Sequence, residues 1–175
     1  MILSMTGYAT ASAELDSGSL TLELRAVNHR YLDIQLRMPD ELRSVESALR
    51  EAITATNNTA GADTIVLSTG TYTIGIAGGD DNNNAGDFDI KDSLTLTGAG
   101  AASTVISGGD ISRVFDVRDG TVNLAGLTIS NGFSSSGGAG IEAQSGTIVS
   151  LDQVVVRANT ATGGDGAGIH NNGVM

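Results

Sequence analysis

Three groups of side chains in this sequence have types and spacings that could do chemistry. Arg25, Asn28, His29 and Arg30 form the densest polar cluster of the N-terminal part, and at a strand end they could contact phosphate. The plainer reading is a solvated strand end and turn, with His29 simply hydrogen-bonded. The second group is the run Asp80, Asp81, Asn82, Asn83, Asn84, Asp87 and Asp89. Carboxylates and amide carbonyls at this density suit Ca²⁺, which takes about six to eight oxygens. Asp80, Asp81, Asp87 and Asp89 are the candidate ligands. The spacing is not that of an EF-hand, because the turn glycine and the closing glutamate are misplaced, and a solvated surface insertion competes with the calcium reading. The third group is Asp116, Arg118 and Asp119, echoed by Asp89, Lys91 and Asp92. Carboxylates beside a basic group are parts that polysaccharide-cleaving sites use. Opposite charges on neighbouring strands also form an interleaved ladder with no chemistry at all, and no residue is assigned a catalytic role. His170 has no second histidine nearby and reads as a loop residue.

The elements that must carry these groups differ along the chain. Leu20, Leu22 and Leu24 alternate with Thr21, Glu23 and Arg25, and Leu32, Ile34 and Leu36 alternate with Asp33, Gln35 and Arg37. Period-two alternation predicts half-buried antiparallel strands, here a three-strand meander with a turn at Asp16-Ser17-Gly18-Ser19. Pro39 ends the third strand and Asp40 is placed to cap a helix over residues 41–55. Its apolar stripe is Leu42, Val45, Leu49, Ala52 and Ile53, with Glu46 and Arg50 paired on the other side. Asn57-Asn58 ends it.

Beyond Ala60 short apolar runs sit between glycine, asparagine and serine turns, and they repeat. Phe88-Asp89-Ile90-Lys91-Asp92-Ser93 matches Phe115-Asp116-Val117-Arg118-Asp119-Gly120 at an offset of 27. Val122–Ile129 matches Val149–Val156 at the same offset, and Gly138-Ala139-Gly140-Ile141 returns as Gly166-Ala167-Gly168-Ile169 at 28. Such a period marks a stacked architecture. Without helical stripes it predicts a right-handed parallel β-helix of about four coils, with Phe88, Ile90, Phe115, Val117 and Ile141 stacked inside. At about 4.8 Å per strand the core is on the order of 20 Å long. The fold class expected is mainly β: this β-helix, preceded by the meander and one amphipathic capping helix. The division expected is residues 1–56 and residues 57–175.

Ser4-Met5-Thr6-Gly7-Tyr8, Glu23-Leu24-Arg25-Ala26-Val27-Asn28-His29-Arg30-Tyr31-Leu32-Asp33 and Leu36-Arg37-Met38-Pro39 resemble the N-terminal domain of the YicC family of bacterial endoribonucleases. The resemblance covers residues 4–50, about the first third of that domain. It implies metal-dependent RNA cleavage in an intact, multimeric parent, with Arg25, Asn28, His29 and Arg30 facing RNA. The family's carboxylate-rich C-terminal region has no counterpart here, so the activity is not carried over. From Ser47-Ala48-Leu49-Arg50-Glu51-Ala52-Ile53 onward the chain resembles bacterial surface or secreted right-handed β-helix proteins, often introduced by Cys-Ser-Leu-Arg-Glu-Ala. Gly61–Leu67, Gly70–Thr73, Leu94–Gly100 and Arg113–Val117 carry that likeness, and the motif's cysteine is missing. Together the two resemblances imply a fusion or chimera, with the helix suiting both parents.

Composition supports two histories. Up to Ala52, five arginines face eight acids, a net charge of −3; after it, Lys91 and three arginines face twelve acids, a net charge of −8. Two of the 24 glycines precede that point and 22 follow it. A total charge of −11 argues against non-specific nucleic-acid binding, which needs Lys and Arg to displace phosphate counterions. Without cysteine there is no disulfide framework or thiolate metal site, and no run reaches a membrane span of about 20 apolar residues. The N-terminus is not a signal peptide, so the first part implies cytoplasm and the second export. The expected function is a non-enzymatic structural or surface-binding β-helix, with a glycan or other surface as ligand. Self-association is expected through an uncapped C-terminal rung, on the reading that the solenoid is interrupted there. An RNA-processing role of the YicC type is the alternative.

Overall fold

A computed structural model describes the backbone of residues 7–15, 18–26, 33–36, 46–79 and 81–175, with side chains from residue 46 onward. The first two strands, β1 (Gly7–Leu15) and β2 (Gly18–Ala26), form an antiparallel hairpin with Gly7 opposite Ala26 and Leu15 opposite Gly18. The third strand, β3 (Asp33–Leu36), differs from the expected meander. It runs parallel to β4 (Asp63–Leu67), with Ile34 beside Ile65. A solenoid's terminal strand offers a row of unpaired N–H and C=O groups, and β3 occupies that row.

The helix α1 spans Glu46–Asn57, so the expected Asp40 cap and residues 41–45 lie outside the described residues. Leu49 and Ile53 are fully buried in the same apolar core as the strands. Asn58 closes the helix as expected, its backbone N–H donating to Ala55 O and its side chain to Thr54 O. Glu46 and Arg50 pair as expected, with 2.8 Å between Arg50 Nη2 and Glu46 Oε1, but the side of the helix that carries them is buried and not solvated. The 74–87 segment folds over them, which no helical periodicity could show.

After α1 the chain winds through four coils. The first is β4, β5 (Gly70–Thr73) and β6 (Phe88–Ile90); the second is β7 (Leu94–Thr97), β8 (Thr104–Ser107) and β9 (Phe115–Val117). The third is β10 (Thr121–Ala125), β11 (Thr128–Ser130), a short corner strand β12 (Phe133–Ser134) and β13 (Ile141–Ala143). The fourth is β14 (Ile148–Asp152), β15 (Val155–Arg157), the corner strand β16 (Thr160–Ala161) and β17 (Ile169–Asn171). They stack as three parallel sheets: β3-β4-β7-β10-β14, β5-β8-β11-β15 and β6-β9-β13-β17.

The register follows the repeat. Phe88 pairs with Phe115, Val122 with Val149 and Ile141 with Ile169. Phe88, Ile90, Phe115, Val117 and Ile141 are all 0% exposed, and the two phenylalanine rings sit 5.9 Å apart. At the fourth coil the core thins: Leu151, Val154, Val156 and Ile169 are only partly buried. Val174 then forms a parallel bridge to Ile148, the first contact of a further turn.

Candidate functional site

The third sheet brings chemistry-bearing side chains together. Its strands are short, and each inward residue is followed by an outward one. The inward residues are Phe88, Phe115, Ile141 and Ile169, and the register puts the outward ones, Asp89, Asp116, Glu142 and His170, in a column one rung apart. This outer face is covered. Asp89 is 1% exposed, Asp116 4% and Glu142 7%. Carboxylates at such depth need partners, and two arginines supply them. Arg113 Nη1 lies 3.2 Å from Asp87 Oδ2 and 3.7 Å from Asp116 Oδ2, while its Nη2 lies 3.6 Å from Glu142 Oε2. It also donates to the carbonyls of Gly137 and Gly138, so one guanidinium ties three coils. Arg118 Nη1 lies 2.8 Å from Asp81 Oδ1, 2.9 Å from Asp116 Oδ2 and 3.8 Å from Asp89 Oδ1. Gln144 donates to Asp116, and Asn172 donates to Glu142 Oε1, which lies 2.8 Å from His170 Nδ1.

The 81–89 segment links this column to the helix. Asn83 is 3% exposed and holds a positive φ of 59°, a conformation asparagine tolerates better than most residues. Its backbone N–H donates to Asp89 Oδ2 at 3.0 Å and its side-chain amide donates to Arg50 O at 2.8 Å. Arg50 returns bonds to Asn83 Oδ1, Asp87 O and Gly86 O, and its guanidinium carbon stands 4.9 Å from the centre of the Phe88 ring. Gly86 is required there, because φ is +72° and a Cβ would collide with the Gly78 carbonyl oxygen. At the other end of α1, Asn57 donates to Asp89 O and accepts from Lys91 N–H.

Charge is not balanced in this cluster. Asp81, Asp87, Asp89, Asp116 and Glu142 face Arg113 and Arg118. Asp89 Oδ1 is buried without a hydrogen-bond partner. Burial pushes the Asp89 carboxyl up to about 6; the Asn83 N–H and Arg118 oppose this, and Asp87 and Asp116 add to it. Burial likewise raises Asp87 against the pull of Arg113.

The candidates named from sequence fall as follows. Arg25 lies in β2 opposite Tyr8, and Asn28, His29 and Arg30 lie outside the described residues. Asp80 also lies outside them. Asp81, Asp87 and Asp89 are each engaged by an arginine, and among the described residues no three carboxylate or imidazole groups gather in a metal-holding set. The interleaved ladder describes Arg118, whereas Lys91 reaches sideways to Asn82 Oδ1. His170 is a strand residue bonded to Glu142, not a loop residue, and Glu142 is not among the candidates named from sequence. The signal was present: the offset that aligns Gly138 with Gly166 also sets Glu142 against His170.

A parallel β-solenoid of four coils, with one capping helix among the described residues, is thus the class of protein that the fold defines. Its N-terminal third is YicC-like: residues 2–59 match the family described as Endoribonuclease YicC-like, N-terminal region. The Probable endoribonuclease YicC of Haemophilus influenzae is 42% identical over 53 residues, which are 30% of this chain and 18% of that protein. The chain therefore spans less than a fifth of that curated relative. No solved structure matches the chain significantly. Among the described residues no helix is long and apolar enough to cross a membrane.

Proposed function

We infer that this chain works as a non-enzymatic, surface-binding β-solenoid module whose binding face is the outer side of the first sheet. The observation that carries the reading is the composition of that face. Thr64, Thr95, Asn123 and Ser150 form one outward column, and Val66, Thr97, Ala125 and Asp152 form the next. None of these eight is buried. Continued onto β3, the register adds Asp33 beside Thr64 and Gln35 beside Val66, so on a chain of net charge −11 the two columns carry two charged groups, Asp33 and Asp152, at opposite ends of the sheet. The columns repeat hydroxyl and amide groups at about 4.8 Å along the solenoid axis. A flat, nearly neutral array of this kind suits a neutral, hydroxyl-rich polymer. The acidic side chains of the third sheet, by contrast, are engaged by Arg113, Arg118 and neighbouring donors.

Co-sedimentation with insoluble neutral polysaccharides (cellulose, chitin and insoluble xylan) tests this reading. The wild-type chain is expected in the pellet with at least one of them, and Thr95→Lys/Asn123→Lys is expected in the supernatant. Failure of the wild type to pellet with any of the three, or equal binding by the variant, would overturn it.

A second reading, RNA contact through Arg25, Asn28, His29 and Arg30, has the family match over residues 2–59 behind it. Cleavage is not expected, because metal-dependent hydrolysis needs several converging carboxylates. Incubation with labelled RNA and Mn²⁺ or Mg²⁺ distinguishes the two, and cleavage lost in Arg30→Ala would favour the second.

A further inference from the structure

We propose that the carboxylate cluster of the third sheet is a proton-operated latch on the capping helix α1, closed in mild acid and loosened as the pH rises. Four largely buried carboxyl groups, Asp87, Asp89, Asp116 and Glu142, share two guanidinium groups, one of which also serves the exposed Asp81. A buried excess of negative charge is relieved most cheaply by retaining a proton. Asp89 is where it resides, because it is the deepest carboxyl of the cluster, 1% exposed, and its Oδ1 accepts no hydrogen bond that would stabilise the charged form.

Asp89 is also the carboxyl wired to the helix. Its other oxygen, Oδ2, accepts from Asn83 N–H, Asn83 clasps Arg50, and Asn57 holds the Asp89 carbonyl. The charged and titratable groups around it come from every neighbouring element. Asp81 and Asp87 come from the covering segment, and Arg50 and Glu46 from α1. Lys91 follows β6, and Arg113, Asp116 and Arg118 come from the second coil. Glu142 and His170 continue the column on the third and fourth. Arg50 commits both terminal nitrogens to Glu46 and to three acceptors of the 83–87 segment, its buried Nε has no partner, and Arg118 is the cation within reach of the Asp89 carboxyl, at 3.8 Å.

The sign follows from linkage. A carboxyl raised in the closed state binds its proton more tightly there than when the segment opens, so opening becomes easier as the pH rises. With Asp89 at about 6 when closed and an ordinary aspartate value when open, the opening equilibrium of α1 rises about ten-fold between pH 5 and pH 7.5.

Amide hydrogen exchange of the full chain at those two pH values, corrected for intrinsic exchange rates, tests the latch. The α1 amides are expected to gain about ten-fold in opening relative to the β10 amides, which serve as internal reference. Asp89→Asn should remove the difference, and Asp116→Asn, which leaves Asp89 in place, should shrink it. No differential change in the wild type, or a full change retained in Asp89→Asn, would overturn the proposal. So would restoration of protection at pH 7.5 by millimolar CaCl₂ alone, which would make the cluster a cation site instead.

Discussion

The two faces of the third sheet are built from neighbouring residues and are equally dry, yet they are held by opposite means. Inside, Phe88, Phe115 and Ile141 are 0% exposed and satisfied by contact alone. Outside, Asp89, Asp116 and Glu142 are buried by the segments that turn the corner from the second sheet, and each needs a specific partner. The first sheet shows the third possibility: its outer columns are left in solvent. Burial in a solenoid is therefore decided corner by corner, by what the connecting segments cover, and not by the apolar alternation of the strands.

The largest expected effect belongs to the inner face. Phe115→Ala removes a ring packed on Phe88 and should cost about 3–5 kcal/mol, measured by urea denaturation followed by circular dichroism. A loss below about 1 kcal/mol would mean that the inner stack is not a close-packed core. On the outer face, Arg113→Met keeps the volume and strips the cation from Asp87, Asp116 and Glu142. It should cost about 2–4 kcal/mol, and the loss should diminish in acid as the carboxyls protonate.

Asp89→Asn sharpens the contrast by changing sign. The folded carboxyl at about 6 stands above its unfolded value. Its contribution is fully present below the ordinary aspartate range and is lost as the pH rises through about 6. The asparagine variant should therefore be more stable than wild type at pH 7.5, by on the order of 1–3 kcal/mol, and hold no advantage at pH 4. Equal denaturation midpoints at both pH values would show that Asp89 is not strained by its charge. The smallest effect lies where nothing covers the sheet. Ile148 is 44% exposed on the outer side of β14, and Ile148→Thr should change stability by no more than about 0.5 kcal/mol.

Much of this was legible in the sequence. The offsets of 27 and 28 give the pairing of Phe88 with Phe115 and of Ile141 with Ile169, because stacked coils repeat inward side chains at the pitch of the chain. The first coil was harder. Tyr72 pairs with Ile106 at an offset of 34, because the path between them runs through the 74–87 segment, which is twice the length of the 108–114 segment one coil on. The covered outer face was legible only in part. Asp89 and Asp116 stood out as a repeated pair, but Glu46, Arg50 and Asn83 are polar residues that periodicity assigns to solvent. Only the long-range fold of the 74–87 segment brings them together and shuts water out.

That same corner has an evolutionary meaning. The strands of successive coils keep their register, while the segments joining the second sheet to the third run 74–87, 108–114, 131–140 and 158–168. Lengthening a loop costs only the slowly growing entropy of closing it. The corner can therefore absorb insertions that the sheets could not, and a short peptide spliced between Thr162 and Asp165 on the fourth coil should be displayed at one edge of an unchanged scaffold. Length can thus vary at this corner from coil to coil while the register of the sheets is kept.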